Sequence, residues 1–269
     1  MTSPIKKMPT PLGVGPGQTA SVQLPLGLTY ERLYMEFTVD GNPRKLPIAE
    51  MGDYIDEVRL MVDGDTKIQI KASDLVKLNK FYGQNGKPGV LDLFLAQPWM
   101  QTIDGQKQTA YGTRGGLSSF ALEMDLKSGK TFAKLDVYAL QSPGTAFGPH
   151  LRIQRYVHNQ GVTGEAEISD IMRGNYSMAA LHVNTDEIED VEIMWDNRKI
   201  LETSKSIRAA HYDVTKRNPQ AGFTHVDFLS ENILAEALPM AVSDFRLNPT
   251  FTATGNFSIY AVSIQSPAT

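Results

Sequence analysis

The sequence predicts an all-β chain built from two tandem copies of one sandwich-like unit, and three observations carry that expectation. Apolar and polar residues alternate in short runs between turn residues, the pattern of half-buried strands. Several of these runs recur in the same order about 125 to 135 residues later, as a duplicated unit would place them. A Pro- and Gly-rich stretch at 141–150 separates the two sets of runs and reads as a linker.

Residues 1–16 are rich in Pro and Gly and read as an N-terminal arm. The first copy spans 17–140. Within it, Ile55-Asp56-Glu57-Val58-Arg59-Leu60-Met61-Val62-Asp63 lies on Ile188-Glu189-Asp190-Val191-Glu192-Ile193-Met194-Trp195-Asp196 without a gap, with four of the nine positions identical. Each copy then turns at Asp63-Gly64 or Asp196-Asn197, dipeptides suited to the positive φ of a tight hairpin. A Ser-initiated helix is expected next in each, from Ser73, a candidate N-cap, with Leu75, Leu78 and Tyr82 at helical spacing, and from Ser204 to about Tyr212. Val90–Leu95 then resembles His225–Leu229, and Ser119–Leu122 resembles Asp244–Leu247.

The final strands, Phe132–Ala139 and Phe257–Ile264, complete the repeat. Parity sets Ala133, Leu135, Val137 and Ala139 against Ser258, Tyr260, Val262 and Ile264 as the inward sets. The other face is polar in the first copy (Lys134, Asp136, Tyr138) and mostly apolar in the second (Ile259, Ala261, Ser263). That difference predicts cover over the second-copy strand, from the neighbouring barrel or another subunit. The second copy and a C-terminal tail occupy 151–269. Units of this size hide their sheet edges by packing two sheets as a jelly roll or by closing into an up-and-down barrel. Two tandem eight-stranded jelly rolls side by side would give a double jelly roll, with short helices in connections.

Composition excludes several functions. With 41% hydrophobic and 21% charged residues the chain has the balance of a core-forming protein. A net charge of −4 offers no field for non-specific nucleic-acid binding, so no direct nucleic-acid partner is expected. No cysteine is present, which removes disulfides, thiol nucleophiles and Cys-ligated metals. No apolar run is long enough for a membrane-spanning helix. The N-terminus has two lysines without an apolar stretch behind them, so it does not read as a signal peptide and synthesis in the cytoplasm is expected.

The candidate sites are sparse. Of five histidines, His150, His158, His182, His211 and His225, none forms a His-x-His pair. His225-Val226-Asp227 has the spacing of a facial-triad iron site, but no downstream histidine completes it; it reads as a strand histidine beside a solvated Asp. Ser128-Gly129-Lys130-Thr131 lacks the first glycine and the helix of a P-loop, and with its counterpart Thr254-Gly255-Asn256 reads as a hairpin turn. Trp195 falls where the first copy has Val62, which favours packing over sugar stacking; Trp99 lies in the long 97–116 connection. Asp53, Asp186 and Glu187 are the weak candidates for calcium, weighed against solvated acidic turns. Lys6 and Lys7 could meet anionic lipid headgroups, or simply be solvated.

Taken whole, a cysteine-free chain without catalytic motifs and with this duplication, from Val58–Gly64 to Val191–Asn197, resembles the double jelly-roll major capsid proteins. These coat tailless, icosahedral, membrane-containing double-stranded DNA viruses, and the resemblance is greatest to the corticovirus branch of marine phages. It covers residues 17–266. It implies no enzyme activity and no required cofactor; structural calcium enters only through the acidic residues named above. It implies a homotrimer of pseudo-hexagonal outline tiling a virion capsid. The expected partners are neighbouring capsomers, minor capsid and vertex proteins, and an underlying viral membrane or its proteins. The alternative is a duplicated β-sandwich that binds carbohydrate or a receptor, which would need exposed loop aromatics from among Trp99, Tyr111 and Phe147.

Overall fold

The structure, a computed structural model, describes residues 4–39, 41–130 and 132–267. The first three residues of the expected arm, Thr131 of the hairpin-turn run and the last two residues of the tail lie outside them. The chain divides into two compact units, the first reaching Ile153 and the second running from Gln154 to Gln265 and including Phe81–Gly83.

The first unit is built from β1 (Ile5–Lys7), β2 (Thr19–Gln23), β3 (Thr29–Thr38), β4 (Ile55–Val62), β5 (Asp65–Lys71), helix α1 (Ala72–Phe81), β6 (Val90–Phe94), helix α2 (Ile103–Lys107), β7 (Tyr111–Gly112), β8 (Phe120–Leu126) and β9 (Lys134–Ser142). One sheet has the order β1-β9-β3-β6 with β7 beside β3, and the other contains β2-β8-β4-β5. The second unit follows with β10 (His150–Gln160), whose residues up to Ile153 belong to the first unit, β11 (Gly164–Glu165), β12 (Tyr176–Val183), β13 (Ile188–Trp195), β14 (Arg198–Ser204), helix α3 (Lys205–Thr215), β15 (Thr224–Asp227), β16 (Leu238–Pro239), β17 (Phe245–Phe251) and β18 (Gly255–Gln265). Its sheets read β10-β18-β12-β15 with β16 beside β12, and β11-β17-β13-β14. Each strand of the second unit thus holds the place of the strand nine earlier. Two four-stranded sheets and one short extra strand make each unit the expected jelly roll.

Register shows the duplication residue by residue. Leu60 faces Leu122 and Val62 faces Phe120 across β4 and β8, while Ile193 faces Leu247 and Trp195 faces Phe245 across β13 and β17. Both hairpins carry a bulge at the same point, between Leu60 and Met61 and between Ile193 and Met194. Both turns place their central residues at positive φ: 50° and 82° at Asp63-Gly64, 46° and 60° at Asp196-Asn197. The right-handed strand twist requires this of a two-residue loop. Asp63 Oδ1 accepts the backbone N–H groups of Ser118 and Ser119, both at 2.7 Å. Asp196 Oδ1 takes those of Ser243 and Asp244, at 2.8 and 3.2 Å. One aspartate in each copy therefore clamps the hairpin to the loop entering the next strand. Asp196→Ala is expected to lower the urea midpoint while Asp196→Asn, which keeps the acceptor, retains most of it; equal midpoints would show that the clamp adds nothing.

Two expectations need correction. Helix α1 begins at Ala72, so Ser73 lies inside its first turn and bonds Asp74 rather than capping; Ser204 does cap α3, accepting the Ile207 N–H. Strand β18 is buried on both faces within the chain itself, but the faces are exchanged. Phe257, Ile259 and Ala261 enter the core of the second unit with Leu181, Val183 and Phe251, whereas Tyr260 and Val262 are buried outside that core. With both faces apolar, alternation carries no parity signal. The expected arm carries a short strand: Ile5–Lys7 pairs antiparallel with β9, and Met8 is buried.

Candidate functional site

The residues singled out in the sequence are dispersed. Asp53 ends a 3-10 turn in the first unit and is exposed. In the second, Asp186 accepts the Gly222 N–H and Glu187 accepts the Thr252 hydroxyl, each through a carboxylate oxygen. Among the described residues no three His, Asp or Glu come together in a way that could hold a metal ion. Trp195 is partly buried against the second core, its indole N–H donating to the Pro239 carbonyl at 2.7 Å. Trp99 packs edge-on against Phe94. Tyr111 is fully buried, its hydroxyl bonded to the Leu151 carbonyl, and Phe147 stacks on His150. The loop aromatics that sugar binding would need are thus turned inward or packed, and no observation favours that alternative. On the arm, Lys7 pairs with Asp136 at 2.9 Å.

The most structured polar cluster lies inside the second unit and includes His225 and Asp227. Residues two apart on a strand share a face, here one covered by α3 and the segment after it. Asp227 is not solvated, contrary to expectation: its side chain is wholly buried and paired with Arg217 at 2.6 Å. Arg217 also donates to Asn232 Oδ1 and the Leu229 carbonyl. Burial pushes the Asp227 carboxyl upward and the adjacent guanidinium opposes that. Sequence alone missed Arg217 because it sits in an irregular segment, outside any periodic pattern.

His225 lies between the rings of Phe81 and Phe223, at 4.0 and 5.5 Å between centroids. Its Nδ1 is 2.8 Å from Nδ1 of His182. Hydrogen-bond polarity then fixes both tautomers. The Gln220 N–H donates to His225 Nε2, so the His225 proton is on Nδ1 and donates to His182 Nδ1. His182 in turn carries its proton on Nε2, which faces the Tyr82 hydroxyl at 3.1 Å. The pair is satisfied only when both rings are neutral. Burial, with the Arg217 charge adding to it, holds the His182 imidazole down at about 3. This is a packed polar core whose groups are engaged with one another.

Two jelly rolls of equal strand order, each with its hairpin clamped by an aspartate, make this chain a double jelly roll. Residues 5–142 match the family described as the viral coat protein P2 N-terminal domain, and residues 150–267 match its C-terminal domain. The chain belongs to the viral coat protein P2 family, and it is a major capsid protein of a virion shell. It is 28% identical over 193 residues to the major capsid protein P2 of Pseudoalteromonas phage PM2, covering 69% of this chain and 67% of that one. The fold is shared with the crystal structure of that phage protein, at a TM-score of 0.88 and 21% identity over 98% of both chains. It is shared more distantly with the capsid of the virus PBCV-1, at a TM-score of 0.66 and 9% identity over 99% of this chain and 96% of that one.

Proposed function

We propose that three copies of this chain form the capsomer, a block with six jelly rolls and a near-hexagonal outline that tiles an icosahedral lattice over a membrane. The observation that supports it is the equal strand order of the two units. Two like bodies per chain turn three-fold symmetry into an approximate six-fold outline, and closed cyclic assembly is the common solution for identical chains. The slight net negative charge suits packing above lipid better than wrapping bare DNA. Neighbouring capsomers, vertex proteins and the membrane side are the partners this reading assigns. Catalysis has no part in it.

Calcium belongs to the proposal as a staple between copies, since no such cluster forms within the described residues of one chain. Asp53, Asp186 and Glu187 would contribute oxygens. Light scattering on the purified chain, with calcium and then with chelator, tests both points. A mass of three chains supports the capsomer, and a mass that falls on chelation supports the staple. A single-chain mass in both conditions overturns the trimer, and a trimer indifferent to chelator removes the staple.

A further inference from the structure

The duplication leaves two strand edges unmatched. In the first unit the outer edge of β5 is covered by the start of β10, in parallel, with Ile153 opposite Ile68. Its counterpart β14 pairs with β13 on one side, and among the described residues nothing pairs with the other. Ile200 on that strand is 41% exposed. Conversely, β1 is the counterpart of β10. It pairs with β9 on one side and ends its sheet on the other, with Ile5 59% exposed. Both segments read alike: Ile5-Lys6-Lys7 and Ile153-Gln154-Arg155 each put an isoleucine before two polar residues, the second basic. An open edge with exposed apolar side chains is a template for strand addition.

We infer that the free edge of β14 receives β1 of a second copy of this chain, in parallel, as β5 receives β10. The register follows from the template. The two hairpins share their bulge position, so Ile68 corresponds to Leu201, and Ile5 of the second copy then lies opposite Leu201. The next pair sets Lys6 beside Glu202. Charge supports this register: the Glu202 side chain is 71% exposed, Glu192 stands beside it across the strands, and the two carboxylates share the single ammonium of Lys199. Lys6, paired through its backbone with Ala139 of β9, is exposed. The contact is heterologous, edge to arm, and such contacts close into a ring when the rotation relating the copies is three-fold. The inference rests on the trimer proposed above and names the surface that makes it.

Because the chain has no cysteine, Lys6→Cys combined with Glu202→Cys provides a direct test in the full-length protein. Both positions are exposed, so folding is not at stake. Under oxidising conditions the double variant is expected to run as a covalent trimer on a non-reducing gel, and neither single variant should do so. Lys6→Glu and Glu202→Lys should each weaken the assembly, and together restore it. A native trimer that neither cross-links nor responds to charge reversal overturns the strand pairing while leaving the trimer standing. A wild-type mass of one chain overturns both.

Discussion

Replacing Arg217 by methionine is expected to cost the second unit about 3–5 kcal/mol, the usual cost of stripping one partner from a buried ion pair. The magnitude follows from burial: the side chains of Arg217 and Asp227 are 2% and 0% exposed. Once the guanidinium is gone, the Asp227 carboxylate, Asn232 Oδ1 and the Leu229 carbonyl all lose a donor. The penalty is that of unmet acceptors, so removing the carboxylate as well should recover much of it. Arg217→Met with Asp227→Leu is expected to be markedly more stable than Arg217→Met alone. The two tryptophans fall one in each unit, so urea unfolding followed through Trp195 in a Trp99→Phe background reads the second unit. A loss below about 1 kcal/mol would mean that water reaches the pair, as it does at exposed salt bridges.

The β4 and β13 strands were legible because nine contiguous positions retain both alternation and turn chemistry. The position of Asp63 and Asp196 was legible too, though not that each carboxylate holds a loop some 50 residues further on. Burial on both sides defeated the parity reading of β18, since a strand without a polar face gives no phase. The kinship of β1 and β10 stayed hidden for another reason. A three-residue strand in a proline-rich arm carries too little pattern, and only its place beside β9 shows what it is. The His225–Asp227 reading was right about the strand and wrong about solvation. Strand spacing puts the two on one face, but what covers that face is decided by Arg217, Phe81 and Tyr212, which are distant or aperiodic in sequence. Outward faces diverged where cores did not. Arg59 sits among Glu123, Asp125 and Glu57, whereas its counterpart Glu192 is an acid held by Lys199.

Acid is expected to weaken the second unit well before carboxylates titrate in bulk. An unfolded histidine binds its proton near 6.5, whereas folded His182 binds one only at about 3. Between those values the unfolded chain holds more protons, so stability falls as pH falls. From pH 7 to pH 5 the loss from this one group is about 2 kcal/mol. The hydrogen-bond chain gives the structural reason. A second proton on His182 would point at the His225 Nδ1–H, and one on His225 at the Gln220 N–H. Arg217, close enough to depress His182, adds like charge. His150 in the first unit, lowered to about 4 mainly by burial, adds to the loss over the same range. Denaturation midpoints at pH 7, 6 and 5 should therefore decline faster than in a His182→Leu variant. That variant starts less stable, because the His225 Nδ1–H loses its acceptor, but its dependence on pH should be shallower. The slope is the informative quantity: equal slopes in the two proteins would mean that the pair accommodates a proton. A steeper wild-type slope would place much of the coat protein's acid sensitivity in the seal between β12, β15 and the segment around Arg217.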